Sequence, residues 1–158
     1  MLKDIAGIIK DVKISPNITL VSLYNIDVSS REKILKKLAD NNINIDMISQ
    51  SPCFGGTITL SFSLLDKDMA KTLEITAAFK SEHEKTEINI CSNNLTIAFF
   101  GSEIINTPGI AASIFEEFSQ SGINIVLITT SDSSVSCLIA KHDEVKTMKM
   151  LHEHNFIK

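Results

Sequence analysis

The segment Asn42-Ile43-Asn44-Ile45-Asp46-Met47-Ile48-Ser49 recurs in the second half of the chain as Gly122-Ile123-Asn124-Ile125-Val126-Leu127-Ile128-Thr129. A repeat of this kind means that one supersecondary unit is used twice. Each copy follows an amphipathic segment, and before that lies a strand-like run: Ile18 to Leu23 in the first half, Leu95 to Phe100 in the second. Each copy precedes another alternating run, Thr57 to Phe62 and Ser134 to Ile139. Period-2 alternation is the mark of a half-buried strand.

The amphipathic segments read as helices. Ile34, Leu35, Leu38 and Ala39 in the first half, and Ile110, Ala111, Ile114, Phe115 and Phe118 in the second, fall on one helical face. Ser29-Ser30-Arg31-Glu32 fits a capping box, and Thr107-Pro108 fits an N-cap followed by proline at the first helical position. Asn42 and Gly122 are residue types that tolerate the left-handed turn ending a helix. A second helix is expected after each third strand, from about Asp68 to Phe79 and from about Asp143 to His152.

Strand, helix, strand, strand, helix, strand makes an antiparallel sheet with helices on one face, the ferredoxin-like βαββαβ arrangement of the α+β class. In the first half Glu87 to Cys91 supplies the fourth strand. Only Asn155-Phe156-Ile157-Lys158 remain after the last helix, so the second unit is expected to borrow an N-terminal strand from Ile5 to Lys10. The expected division is residues 14–92 for the first unit, and 93–158 completed by 1–13 for the second.

Composition narrows the function. With 158 residues, 15 Lys and Arg against 19 Asp and Glu, a net charge of -4 and no basic cluster, the chain lacks the electrostatics of a nucleic-acid binder. No apolar run reaches the roughly 20 residues of a membrane span, and the amino terminus lacks a signal-peptide core, so a cytoplasmic location is expected. Cys53, Cys91 and Cys137 form no C-x-x-C pair, and Cys91 and Cys137 read as small core residues. His152 and His154 point apart on a helix with no third ligand, so neither a metal nor another cofactor is called for. No phosphate-cradling G-x-x-x-x-G-K-[ST] loop occurs.

Thr107-Pro108-Gly109-Ile110-Ala111-Ala112, Ser121-Gly122-Ile123-Asn124-Ile125 and Ile128-Thr129-Thr130-Ser131 resemble the ACT domain, and in particular the tandem ACT regulatory region of aspartate kinase. Ile18 to Leu23 and Ile43 to Gln50 carry the resemblance in the first half. It implies a regulatory, amino-acid-binding module without kinase activity of its own, in lysine and threonine biosynthesis. Homodimers through ACT units and a kinase catalytic subunit are the partners it implies.

A free amino acid needs N–H donors for its carboxylate and acceptors for its ammonium. The start of a helix offers the donors, and an edge strand offers the acceptors. The resemblance implies one ligand site joining Asp27, Ser29 and Ser30 with Asn124 and Ile125, with Gln50 nearby. Its counterpart joins Asn106, Gly109 and Ala111 with Asn44, Ile45 and Asp46. Thr129 and Ser131 match hydroxyl positions near the effector or the dimer contact. The first half departs from the pattern, with Val28-Ser29 in place of proline-glycine and a long Arg31 after it. Plainer readings stand beside these: Asn44 and Asn124 satisfy strand-end backbone, and Thr129 to Ser134 is a hairpin loop. A structural dimerisation protein with lost ligand sites is the main alternative. An acylphosphatase-like enzyme would have to rely on Arg31, the one arginine in the chain.

Overall fold

The computed structural model describes residues 7–157. Its strands are β1 (Asp11–Asp27), β2 (Ile48–Gln50), β3 (Thr57–Leu65), β4 (Glu87–Phe100), β5 (Ile125–Thr130) and β6 (Ser134–Ala140). Its helices are α1 (Arg31–Asp40), α2 (Met69–Glu82), α3 (Ile110–Gln120) and α4 (Glu144–Glu153). The chain divides into two compact units, Asn17–Asn93 and the described parts of Met1–Pro16 with Asn94–Lys158.

The first unit, Asn17–Asn93, has the strand order β2-β3-β1-β4. β1 and β3 are antiparallel, with Val21 opposite Phe62 and Leu23 opposite Leu60. These side chains share one face and are buried with Ile34 and Leu38 of α1 and with Ile75 and Phe79 of α2. Burying each such side chain contributes roughly 1.5–3 kcal/mol. On the other face the Ser22 and Ser61 hydroxyls pair at 2.9 Å.

The second unit repeats the plan in the order β1-β4-β6-β5, with Asp11–Pro16 of β1 at one edge. Leu95, Ile97 and Phe99 of β4 lie opposite Ile139, Cys137 and Val135 of β6. They pack under Ile110, Ile114 and Phe118 of α3 and Met150 and Leu151 of α4. Both units are therefore ferredoxin-like, with antiparallel sheets and helices on one face.

The borrowed strand begins later than expected. Gly7 and Ile8 form a turn, and the strand starts at Asp11; Ile5 and Ala6 lie outside the described residues. The turn presses on the second unit's core, where Ile9 is buried and the Lys10 N–H donates to the Phe100 carbonyl at 2.7 Å. There the Ile8 carbonyl comes so close to Gly101 that a Cβ on Gly101 would lie 2.2 Å from it. Residues 7–10 make this contact in place of a strand.

β1 and β4 are longer than their sequences suggest, because each continues through a left-handed asparagine, Asn17 (φ 61°) and Asn93 (φ 61°). The two runs read as Glu87 to Cys91 and Leu95 to Phe100 are one strand. Cys91, expected in the core, is exposed; Cys137 is buried, and burial pushes its thiol up to about 12.

The helix ends are as the residue types predict. Asn42 (φ 57°) and Gly122 (φ 64°) both turn left-handed. In each case the next residue's N–H reaches back to the last turn, Ile43 to the Leu38 carbonyl at 3.1 Å and Ile123 to the Phe118 carbonyl at 2.8 Å. These are Schellman ends with their apolar contact in place. α4 closes the same way, Asn155 (φ 58°) letting the Phe156 N–H reach the Leu151 carbonyl.

Candidate functional site

The two helix starts differ. In the second unit, residues 102–106 form a turn after β4, and α3 starts at Ile110 behind Gly109. Gly109 sits at φ 90°, a conformation side-chain-bearing residues rarely adopt, and a Cβ added there would meet no atom within 4 Å. The Ser113 N–H donates to the Gly109 carbonyl at 2.9 Å. The N–H groups of Ile110, Ala111 and Ala112 precede that bond and have no intrahelical acceptor. Thr107 is not the N-cap: its hydroxyl donates backwards to the Glu103 carbonyl at 2.8 Å.

In the first unit, Val28–Ser30 coil into a 3-10 turn that runs directly into α1. The capping box expected from Ser29 does not lead the helix: α1 starts behind Ser30, and neither Asp27 nor Ser30 makes a side-chain capping bond. Asp27 and Ser29 are exposed, whereas Ser30 is buried. Arg31 reaches over the edge strand, its Nη1 donating to Oε1 of Gln50 at 2.9 Å.

The strand-side residues divide between the two units. Asn44 and Asp46 are exposed in the loop before β2, and the Asp46 N–H donates to the Ser63 carbonyl at 3.0 Å. Ile45 packs against the first unit's core. In the second unit Asn124 and Ile125 line a cleft of about 230 Å³ with Phe115, Phe118, Ser119 and Ile123. Asn106, Gly109, Ala111, Thr129 and Ser131 are not among its lining residues. Thr129 is half-buried opposite Ser136. The Ser131 hydroxyl is taken up by the hairpin, pairing with that of Ser134 at 2.8 Å and accepting from the Ser133 N–H at 3.3 Å.

Two residues not expected at the site tie down the turn that leads into β5. Asp143, only 5% exposed, accepts from Lys146 Nζ at 2.9 Å and from the Asn124 backbone N–H. Lys146 Nζ also donates to the Gly122 carbonyl at 3.2 Å. The turn Gly122 to Asn124 is thereby tied to the start of α4. The Lys146 hydrogen bond holds the Asp143 carboxyl below the usual carboxylate range against the opposing effect of burial, with the charges of Lys146 and His142 and the Asn124 bond adding to it. The spacing Asp143 to Lys146 looks like an ordinary surface i,i+3 pair, and only the long-range contact to Asn124 gives it another role.

Among the described residues no helix is long and apolar enough to cross a membrane, and no cluster of three or more His, Cys, Asp or Glu side chains could hold a metal ion.

Residues 97–154, which lie in the second unit and include its glycine-led first helix and the cleft beside β5, match the ACT domain family. Over nearly its whole length the chain is similar to aspartokinases. It is 29% identical over 148 residues to aspartokinase 2 of Bacillus subtilis, which covers 92% of this chain and 36% of that protein. The chain thus spans between about a quarter and little more than a third of the curated relatives it matches. One solved structure of aspartokinase alpha and beta subunits superposes with a TM-score of 0.83 at 26% identity, covering 94% of this chain and 99% of that one. The regulatory subunit of aspartate kinase from Thermus flavus shares the fold, with a TM-score of 0.82 at 20% identity, covering 94% and 99%.

Proposed function

We propose that this chain is the effector-binding, regulatory part of an aspartate kinase, non-catalytic by itself, acting in the cytoplasm in aspartate-family amino-acid biosynthesis. The observation that carries this reading is the pair of coverages: 92% of the chain is matched by 36% of a Bacillus aspartokinase, and 94% of it by 99% of one aspartokinase subunit chain. The site chemistry fits a free amino acid. The start of α3 offers N–H donors beside a glycine that lets a carboxylate approach the backbone. Acceptors are offered in the first unit by the loop residues Asn44 to Asp46 and in the second by Asn124 and Ile125; Asp27, Ser29, Thr129 and Ser131 are the other candidates in their own units.

Lysine or threonine is the effector proposed. The exposed carboxylates Asp27 and Asp46 suit a lysine side chain, and the Thr129 hydroxyl suits threonine. Pairing into homodimers is supported by β5, which stands at the end of its unit's strand order with Val126 exposed. Control of a kinase catalytic subunit would follow from two packings of paired units, with the effector biasing them by its differential affinity.

A thermal-shift series with each of the twenty amino acids tests the reading. At a hundredfold excess over Kd a ligand of the folded state adds about 2.7 kcal/mol, which raises Tm by roughly 5 °C or more in a chain of this size. Lysine or threonine is expected to produce that rise. A flat response to all twenty overturns the proposal.

A further inference from the structure

The second helix of each unit begins in the same way, with Asp68 in front of α2 and Asp143 in front of α4. Thr72 and Thr147 fix the match, each hydroxyl donating four residues back, to the Asp68 carbonyl at 2.8 Å and the Asp143 carbonyl at 2.9 Å. Counted on from there, Thr76 stands in the place of Leu151, and Lys80 in that of Asn155. In the second unit Leu151 is fully buried, and Phe156 and Ile157 pack onto the same core after the helix. In the first unit the smaller Thr76 stands there, and the residues after α2, His83 to Thr86, are polar. A groove of about 360 Å³ is left open between α2 and the start of β4, lined by Leu73, Thr76, Ala77, Lys80, Ile88 and Ile90.

The lining is apolar apart from one hydroxyl and one cation. The Thr76 hydroxyl spends its hydrogen on its own helix, on the Thr72 and Leu73 carbonyls at 2.9 and 3.2 Å. Elsewhere in this unit Lys37 pairs with Glu82 at 3.3 Å and Lys71 with Glu74 at 2.8 Å, whereas Lys80 makes no ion pair among the described residues. No carboxylate lines the groove, so an ammonium entering it finds no counter-charge, and an anion finds Lys80. The volume lies at the lower end of the roughly 300–1,000 Å³ typical of small-ligand sites. We propose that this groove is a ligand site for a small carboxylate with an apolar tail, the tail against Leu73, Ala77, Ile88 and Ile90 and the carboxylate at Lys80 Nζ. None of the amino-acid-binding candidates named above lines it, so the site is separate from theirs.

Methyl NMR titrations of the intact chain with octanoate, octylamine and leucine test this. Octanoate is expected to shift the methyls of Leu73, Ala77, Ile88 and Ile90 saturably and to leave those of Val135 and Ile139 in the second unit unmoved. Octylamine has a like tail with the opposite charge, and leucine brings an ammonium that the groove cannot pair; neither is expected to shift them. Thr76→Leu copies the second unit and is expected to abolish the response. Lys80→Gln, at the surface, keeps the test open if Thr76→Leu does not fold, and is expected to weaken octanoate about tenfold, the worth of one charge-assisted hydrogen bond. No saturable shift, an equal response to octylamine or leucine, shifts spread over both units, or undiminished binding by Lys80→Gln overturns the proposal. So does movement of the same methyls on raising the protein concentration alone, which would show that a second copy covers the groove. Failure here leaves the effector reading standing, since the thermal-shift series tests that separately.

Discussion

The two units end their first helices alike and begin them differently. Asn42 and Gly122 make the same left-handed turn with the same backward hydrogen bonds, because an apolar residue must be returned to the core after each helix and the Schellman geometry does that. The starts share no such requirement. One is a glycine turn with open backbone, the other a 3-10 turn bridged by Arg31 to Gln50. Features the fold needs are duplicated with the unit, whereas the helix starts, which the fold does not fix, have diverged.

Gly101→Ala strikes the second unit alone and has the largest expected effect. Its Cβ would meet the Ile8 carbonyl at 2.2 Å, while neither Gly55 nor Gly56 of the first unit has an atom within 4 Å of such a Cβ. A loss of about 3 kcal/mol in urea unfolding is expected, with an equivalent change at Gly56 costing much less. Equal losses at both positions would remove the contrast.

Asp143→Asn comes next. The carboxyl's folded pKa is lowered below the ordinary 3.8, so its stabilisation is complete above that value and is lost as pH falls through the lowered one. The variant should lose about 1–3 kcal/mol at neutral pH and show a shallower decline in stability on acidification. Titrating Tm from pH 6 to 2 measures both; identical acid slopes for the two proteins would show that Asp143 does not hold the Gly122 to Asn124 turn.

Smaller effects compare the starts themselves. Gly109→Ala forces a Cβ into φ 90° and should cost about 1 kcal/mol, whereas Ser29→Ala, exposed and helical, should stay within about 0.5 kcal/mol. Denaturant midpoints that fail to separate these two would argue against the described difference. Smallest of all, thiol labelling of the native chain should modify the exposed Cys53 and Cys91 rapidly and leave Cys137 until unfolding. Early loss of a third thiol, read by mass spectrometry, would show the second unit's core opening on its own.

The element order was legible because periodicity reports burial: Ile34 with Leu38, Ile114 with Phe118, and the alternation of Leu95, Ile97 and Phe99 each mark the face that meets the core. The helix ends were legible because Asn and Gly announce left-handed turns. Three features were not. Asn17 and Asn93 look like breaks between strands, yet left-handed asparagine lets each strand continue. Thr107-Pro108 looks like a cap, but the cap is the residue after it, Gly109. The Asp143 bond to Asn124 joins residues far apart in sequence, and no local pattern encodes it. Within the candidate site the residue types were readable, but what Ser131 and Gln50 bond to was not.

The division of the chain also sets an order of events during synthesis. The first unit is one unbroken stretch, Asn17–Asn93, and can close as soon as residue 93 is free of the ribosome. The second cannot, since its edge strand Asp11–Pro16 is made first and its partners on β4 and beyond come last. That strand waits through the making of a whole neighbouring unit, and its loop must then close at an entropic cost the first unit never meets. Pulsed hydrogen exchange during refolding should accordingly find β3 protected before β6, and the reverse order would show that closure of the long loop leads.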